Sequence, residues 1–253
     1  MASVDSGIAG RRVLVTGASS GVGRAAAQAF VAEGARVAMV ARRGEVLQEL
    51  AAELGRDAIP IVADVSDPDS IRRAVEQAHD ALGGFDAVVN SAGVGFPTRL
   101  EDIEPAVWRE VIDINLSGSF YVGRDAGLRM REAGGGAIVN VASDLASMGM
   151  ALFVHYCASK FGVIGLTKAL AAELAPTVTV NVVCPGPIDT PMMDAEIDWF
   201  PDPAQARIDA TERVPLKRFA APEEVVAAIR FLAFKAPFAT GTTLELDGGT
   251  TMV

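Results

Sequence analysis

Cysteine, histidine and long apolar runs are scarce in this sequence, and each shortage excludes a class of function. The 253 residues include two cysteines and two histidines. Neither Cys157 nor Cys184 stands at a spacing typical of a zinc site, so we expect no bound metal. No apolar run is long enough to span a bilayer, and Met1 to Gly10 lacks the basic start and apolar core of a signal peptide. These features predict a cytoplasmic protein with reduced thiols.

Basic residues are also in the minority. Lysine and arginine number 22 against 32 aspartates and glutamates, which gives a formal net charge of −10. An acidic surface repels nucleic-acid phosphates and anionic lipids, so we expect neither nucleic acid nor membrane as a partner. The balance still permits a local basic pocket for a phosphorylated small molecule. Half of the residues are hydrophobic, which is enough for a large buried core.

Short apolar runs alternate with amphipathic helical segments along the chain. The runs that we predict as strands are residues 12–16, 37–40, 59–62, 87–89, 138–141 and 178–183. Helix-like segments lie at 23–33, 45–54 and 71–82. Strands that are apolar throughout are typical of a parallel sheet covered on both faces. The sequence therefore predicts one α/β domain over residues 1–253, with a doubly wound parallel β-sheet, helices on both faces, and a ligand beyond the carboxyl ends of the strands.

Residues 189–215 have the poorest periodicity in the chain. The stretch contains several prolines and no clear apolar face. We expect an irregular, mobile segment that covers the substrate, of the kind that closes over an active site.

A glycine-rich turn follows the first predicted strand, where residues 16–23 read TGASSGVG. Glycines let a chain turn tightly and approach a pyrophosphate, whose charge is favoured at the N-terminus of the next helix. Taken alone, the octapeptide is also compatible with a sharp structural turn. Its position between a strand and a helix favours dinucleotide binding.

The spacing T-G-x-x-x-G-x-G resembles that of the short-chain dehydrogenase/reductase family, including its 3-oxoacyl-(acyl-carrier-protein) reductase-like members. Further segments match in the family's order over about residues 10–250: Asp64-Val65, Asn90 to Gly93, Asn115, Ser143, Tyr156 to Lys160 and Pro185 to Thr190. The resemblance implies a single-domain Rossmann fold and an enzyme that moves a hydride between the nicotinamide of NAD(P) and a carbonyl or secondary alcohol carbon. It also implies a homotetramer or homodimer.

The resemblance further implies a set of cofactor-binding residues. They are Gly17, Ser19, Ser20, Gly21, Val22, Gly23, Asp64, Val65, Asn90, Ala92, Gly93, Pro185, Gly186, Ile188 and Thr190, together with Tyr156 and Lys160. Asp64 and Val65 would contact the adenine, and Ile188 and Thr190 would hold the nicotinamide carboxamide.

The end of the second predicted strand bears on the choice between NADP and NAD. Ala41 stands where NAD enzymes commonly carry an acidic residue for the ribose 2′-hydroxyl, and Arg42 and Arg43 follow it. Two guanidinium groups suit a 2′-phosphate, because arginine makes charge-assisted, often bidentate bonds to it. Alternatively, both arginines are solvated at a helix start, and Ser20 is neutral at the other position that NADP enzymes sometimes make basic. We expect NADP.

Tyr156 and Lys160 lie one helical turn apart and so share a face of the predicted helix. A nearby ammonium favours the phenolate form of tyrosine, which suits Tyr156 to exchange a proton with a substrate oxygen. By the resemblance, Ser143 holds that oxygen, Asn115 positions a proton-relay water beside the lysine, and Lys160 also bonds the nicotinamide ribose.

Several apolar side chains are predicted near the substrate. Phe96, Met150, Met193 and Trp199, with the polar Asp144, are the candidate substrate contacts and favour a hydrophobic ketone. Packing of the 189–215 segment or a subunit contact explains the apolar residues equally well. Glu196, Asp198 and Asp202 beside them argue against an anionic substrate.

Two other functions remain as alternatives. A 3-oxoacyl-(acyl-carrier-protein) reductase of fatty-acid or polyketide synthesis needs basic residues near its site entrance, and only Arg129 and Arg131 on the preceding helix offer them. A non-catalytic redox sensor would bind the dinucleotide without turnover. The presence of Ser143, Tyr156 and Lys160 together disfavours the sensor.

Overall fold

Seven parallel strands form the centre of the fold, in the spatial order β3-β2-β1-β4-β5-β6-β7. The computed structural model describes residues 7–252, and its strands are β1 Arg12–Thr16, β2 Arg36–Ala41, β3 Ala58–Val62, β4 Ala87–Asn90, β5 Gly136–Val141, β6 Val178–Pro185 and β7 Thr243–Leu246. Val13, Leu14 and Val15 of β1 are fully buried, as expected of a strand with helices on both sides. The predicted doubly wound α/β fold is confirmed.

The helices are α1 Gly21–Ala32, α2 Gly44–Leu54, α3 Pro68–Leu82, α4 Pro105–Ile112, α5 Gly118–Ala133, α6 Val154–Leu174, α7 Pro191–Asp198, α8 Pro203–Arg213 and α9 Pro222–Phe234. Apolar side chains of α1, α2 and α9 pack on one face of the sheet, and those of α3, α5 and α6 on the other. The sequence did not predict β7 or α9.

The expectation of an irregular segment at residues 189–215 was wrong, because this stretch forms α7 and α8. Each helix has a proline in its first turn, where no backbone N–H is needed. Thr190 caps α7 by accepting a hydrogen bond from Met193 N at 3.4 Å, and Asp202 caps α8 by accepting one from Gln205 N at 3.0 Å. The prolines that suggested a loop are helix-start signals.

Residues 1–6 and 253 lie outside the described part of the chain. Most of the amino-terminal segment on which the signal-peptide prediction rests falls there. Among residues 7–252, no helix combines the length and apolarity needed to cross a membrane.

Candidate functional site

A cleft with a volume of about 1430 Å³ lies at the carboxyl edge of the sheet. Its floor is formed by the turns that follow β1, β4 and β5, and α7 and α8 form the opposite wall. After β1 the next strand, β2, is added toward one edge of the sheet, and after β4 the next strand, β5, is added toward the other edge. Ligands of doubly wound folds bind at such a switch point in the strand order.

The turn after β1 comes into direct contact with the turn after β4. Thr16 Oγ1 accepts hydrogen bonds from the backbone N–H groups of Ser91 and Ala92, both at 3.2 Å. Gly17 has a φ of +70°, and a Cβ there would lie 2.8 Å from the Ala92 backbone. A Cβ at Gly23 would lie 2.5 Å from the Gly17 carbonyl oxygen. The two glycines are therefore required by close backbone packing, which also leaves this part of the cleft floor flat.

Helix α1 begins at Gly21, with its N-terminus in the cleft wall. Ser20 at the N-cap makes no side-chain hydrogen bond to the helix, and the first turn contains no acidic residue. The first N–H groups of a helix have no intrahelical partner and carry partial positive charge. Together with the flat floor at Gly17, this arrangement fits the pyrophosphate of a dinucleotide.

Arg42 and Arg43 lie at the rim of the same cleft, directly after Ala41. The Arg43 guanidinium donates to Ser19 Oγ from Nε at 3.2 Å and from Nη2 at 3.0 Å. Within residues 7–252, neither arginine forms a salt bridge with a carboxylate. The end of β2 therefore carries two uncompensated positive charges beside the phosphate-binding turn.

Three of the predicted cofactor residues do not line the cleft: Gly23, Asp64 and Asn90. The Asp64 carboxylate accepts from Ser66 N at 2.9 Å and Ser66 Oγ at 2.7 Å, which closes the turn after β3. Asn90 Nδ2 donates to Asn140 Oδ1 at 2.9 Å and so links β4 to β5. The remaining members of the predicted set line it: Gly17, Ser19, Ser20, Gly21, Val22, Val65, Ala92, Gly93, Pro185, Gly186, Ile188 and Thr190.

Ser143, Tyr156 and Lys160 come together in the middle of the cleft. Lys160 Nζ lies 5.5 Å from the centroid of the Tyr156 ring and donates to the Val141 carbonyl oxygen at 3.0 Å. Burial raises the pKa of Tyr156 and the negative charge of Glu196 adds to the rise, while a hydrogen bond with Ser143 opposes it. Burial lowers the pKa of Lys160 to about 8.

Asn115 lies behind this group, in a single π-helical turn, Asp113–Ser117, between α4 and α5. Its Oδ1 accepts from Val94 N at 2.8 Å, and its Nδ2 donates to Val94 O at 2.9 Å and Ser159 Oγ at 3.0 Å. A Cβ on Gly93 would lie 3.3 Å from Asn115 Oδ1 and 3.5 Å from Lys160 Nζ. The wide turn thus places Asn115 beside Lys160, although Asn115 is buried and does not line the cleft.

Two carboxylates face the catalytic side chains. Asp144, 7% exposed, accepts a hydrogen bond from Ser143 Oγ at 2.8 Å, and burial raises its pKa. Glu196 of α7 also lines the cleft, where burial, assisted by the Asp144 charge, raises its pKa to about 7. From the sequence, Glu196 served only as an argument against anionic substrates. Pro191 was an available signal that Glu196 lies on a helix, but nothing in the sequence indicated that this helix faces the site.

The predicted substrate residues divide into two groups. Asp144, Met150 and Met193 line the cleft, but Phe96 and Trp199 do not. The Phe96 ring packs against buried His155, with centroids 5.3 Å apart, and Trp199 is 44% exposed. The apolar wall also contains Met148, Leu152, Phe153, Met192, Ile197 and Phe200.

Known proteins resemble this chain over nearly its whole length. A family model described as enoyl-(acyl carrier protein) reductase matches residues 17–251. The D-threitol dehydrogenase of Mycolicibacterium smegmatis is 41% identical over 249 residues, which cover 96% of this chain and 94% of that protein. A 3-oxoacyl-(acyl-carrier-protein) reductase of Thermotoga maritima is 39% identical over 245 residues, covering 95% and 97%.

A solved structure, that of levodione reductase, superposes with a TM-score of 0.92 at 33% identity and covers 97% of this chain and 99% of its own. These relatives are named as dehydrogenases and reductases, and each matches this chain over nearly its whole length. The chain belongs to the short-chain dehydrogenase/reductase family and is an oxidoreductase that acts on an alcohol or ketone carbon with an NAD(P) dinucleotide.

Proposed function

We propose that the enzyme interconverts an apolar ketone and its secondary alcohol with NADP(H), reducing the ketone with NADPH. The observation that carries this proposal is the convergence of Ser143, Tyr156 and Lys160 in a cleft whose one end carries Arg42 and Arg43. The methionine- and phenylalanine-rich wall on the other side suits an apolar substrate body.

The side chains divide the work of proton transfer. A nicotinamide bound in the cleft supplies the hydride that reaches the carbonyl carbon. Tyr156 donates its hydroxyl proton to the carbonyl oxygen, which completes the alcohol; its raised pKa keeps that proton available. The Lys160 ammonium, 5.5 Å from the ring, stabilises the phenolate that remains. In this scheme Asn115 acts on the reaction by positioning Lys160 and a relay water.

Ser143 has two hydrogen-bonding states in this scheme. In the present structure its hydroxyl donates to Asp144 at 2.8 Å, and its oxygen accepts from Leu145 N at 3.1 Å. To hold a carbonyl oxygen it turns its proton from Asp144 to the substrate, where it stabilises the developing negative charge.

The preference for NADP rests on Arg42 and Arg43, and a binding titration tests it. Replacing both by alanine should weaken NADPH binding roughly ten- to a hundredfold and leave NADH binding nearly unchanged, because charged hydrogen bonds to the 2′-phosphate are lost. Arg56→Ala is the matched control, since the Arg56 side chain is 95% exposed and does not line the cleft. Equal affinity of the wild type for NADH and NADPH would contradict the preference.

The two basic residues that the sequence offered for the acyl-carrier alternative lie away from the cleft. Arg129 and Arg131 lie near the end of α5, which finishes at Ala133 just before β5 begins. They are therefore at the amino edge of the sheet, opposite the cleft. Reduction of an acetoacetyl thioester at a rate above that of simple ketones would restore this alternative.

We also propose assembly as a homotetramer or homodimer. Trp108, Phe120 and Phe161, on α4, α5 and α6, are 39%, 41% and 49% exposed in the single chain, and exposed apolar clusters often mark protein interfaces. Light scattering coupled to gel filtration tests the proposal, and a monomeric mass contradicts it. The cytoplasmic location and the absence of a metal stay predictions.

A further inference from the structure

Glu196 is a carboxylate without a protein partner in the wall of the catalytic cleft. Within residues 7–252 it accepts no hydrogen bond and forms no salt bridge. Its neighbour on α7 behaves differently, because Asp194 pairs with Arg207 at 3.2 Å. Arg213 of α8 also lines the cleft but does not pair with Glu196. Withdrawing an ionised carboxylate from water costs free energy unless hydrogen-bond donors compensate it.

The position of Glu196 beside Tyr156 indicates that a bound substrate would supply the hydrogen-bond donor. Gly95 separates the two side chains: a Cβ added there would lie 2.8 Å from Tyr156 Cε2 and 3.3 Å from Glu196 Oε1. The Glu196 charge also acts on the Tyr156 hydroxyl. Glu196 Oε1 therefore lies on the Gly95 side of the Tyr156 ring, within the cleft where a substrate oxygen would meet the Tyr156 hydroxyl.

Asp144 extends the same acidic surface. One of its carboxylate oxygens receives hydrogen bonds from Ser143 Oγ and Leu145 N, both at 2.8 Å. Its second oxygen accepts no hydrogen bond from residues 7–252, and the residue lines the cleft. Carboxylate oxygens of Glu196 and Asp144 thus line the cleft near Tyr156, within a wall that is otherwise largely apolar.

We propose that the preferred substrate carries a second hydroxyl group on the carbon next to the reacting one, and that Glu196 accepts the hydrogen bond from it. The substrate class is a vicinal diol, or the corresponding α-hydroxy ketone, on an apolar skeleton. Glu196 is then a specificity-determining residue of the reaction. The inference rests on the proposed function and deepens it.

The test compares three ring compounds of one skeleton as substrates for oxidation with NADP⁺: cyclohexane-1,2-diol, cyclohexanol and 2-aminocyclohexanol. For the wild type, kcat/KM for the diol should exceed that for cyclohexanol roughly ten- to a hundredfold, as a hydrogen bond to a charged acceptor predicts. Glu196→Leu should abolish most of this preference, and Glu196→Gln, which keeps a neutral acceptor oxygen, should give an intermediate ratio.

Asp198→Asn is the matched control, because Asp198 is an exposed acid at the end of the same helix and does not line the cleft. It should keep the wild-type ratio, and thermal melting confirms that each variant is folded. An unchanged ratio in both Glu196 variants overturns the inference, as does a preference for the amino alcohol, which would indicate a cation site. Wild-type protein that oxidises none of the three compounds contradicts the proposed function itself.

Discussion

The two ends of the cleft are built in different ways. At the cofactor end two turns pack closely. The Thr16 hydroxyl accepts hydrogen bonds from the turn after β4, and Gly17 lies too close to Ala92 for any side chain. At the substrate end, side chains from α7 and from the loop after β5 line the open cleft. Glu196 and Asp144 are examples, and both lie near Tyr156. In our proposal the first end is rigid, and the second determines which substrate reacts.

The largest expected effect lies where the two ends meet, at Tyr156. Tyr156→Phe removes the proton donor and should lower kcat roughly 10²–10⁴-fold, with NADPH affinity nearly unchanged in a fluorescence titration. Tyr121→Phe is the matched control, because Tyr121 lies on α5, packs against the hydrophobic core and does not line the cleft. A Tyr156→Phe enzyme with wild-type kcat would refute the assignment of the proton donor.

The rigidity of the cofactor end is tested at Gly17. Gly17→Ala forces a Cβ to 2.8 Å from the Ala92 backbone at a φ of +70°, so we expect a loss of about 3 kcal/mol in unfolding free energy and weaker cofactor binding. Urea denaturation measures the first effect. Gly10→Ala shares the left-handed φ, +74°, but has open space, and should cost about 1–2 kcal/mol. Equal losses in the two variants would show that backbone packing is unimportant.

A smaller effect should reveal the charge at the substrate end. The negative charge of Glu196 raises the pKa of Tyr156, so Glu196→Gln should lower that pKa. Alcohol oxidation requires the phenolate, and the acid limb of its pH profile should therefore move to lower pH. The acid limb reports the pKa of Tyr156, which lies above the Glu196 pKa of about 7. The wild-type Glu196 carboxylate is therefore charged in the pH range of the limb. Asp198→Asn should leave the limb in place, and a shift of the Glu196→Gln limb to higher pH would contradict the electrostatic account.

The contrast also explains what could be predicted from the sequence. The apolar runs and the turn at residues 16–23 are local signals, and they sufficed for the parallel sheet and for the position of Gly17. Tyr156 was identified from its spacing to Lys160 and from the resemblance to the short-chain family. Residues 189–215 were misread because their prolines suggested a loop, whereas Pro191 and Pro203 start helices. The placement of Glu196 and the outward position of Trp199 depend on how these helices pack, for which no periodicity in the chain provides a signal.

The central claim is that a hydride passes directly between a nicotinamide held in this cleft and a substrate carbon. Isotope transfer tests it most directly, with 2-hydroxycyclohexanone as substrate and NADPH deuterated in turn at each face of nicotinamide C4. The account predicts that one deuterated form, and not the other, gives a diol with a single deuterium on the newly formed carbinol carbon. A product without deuterium from either form, at measurable turnover, would contradict it.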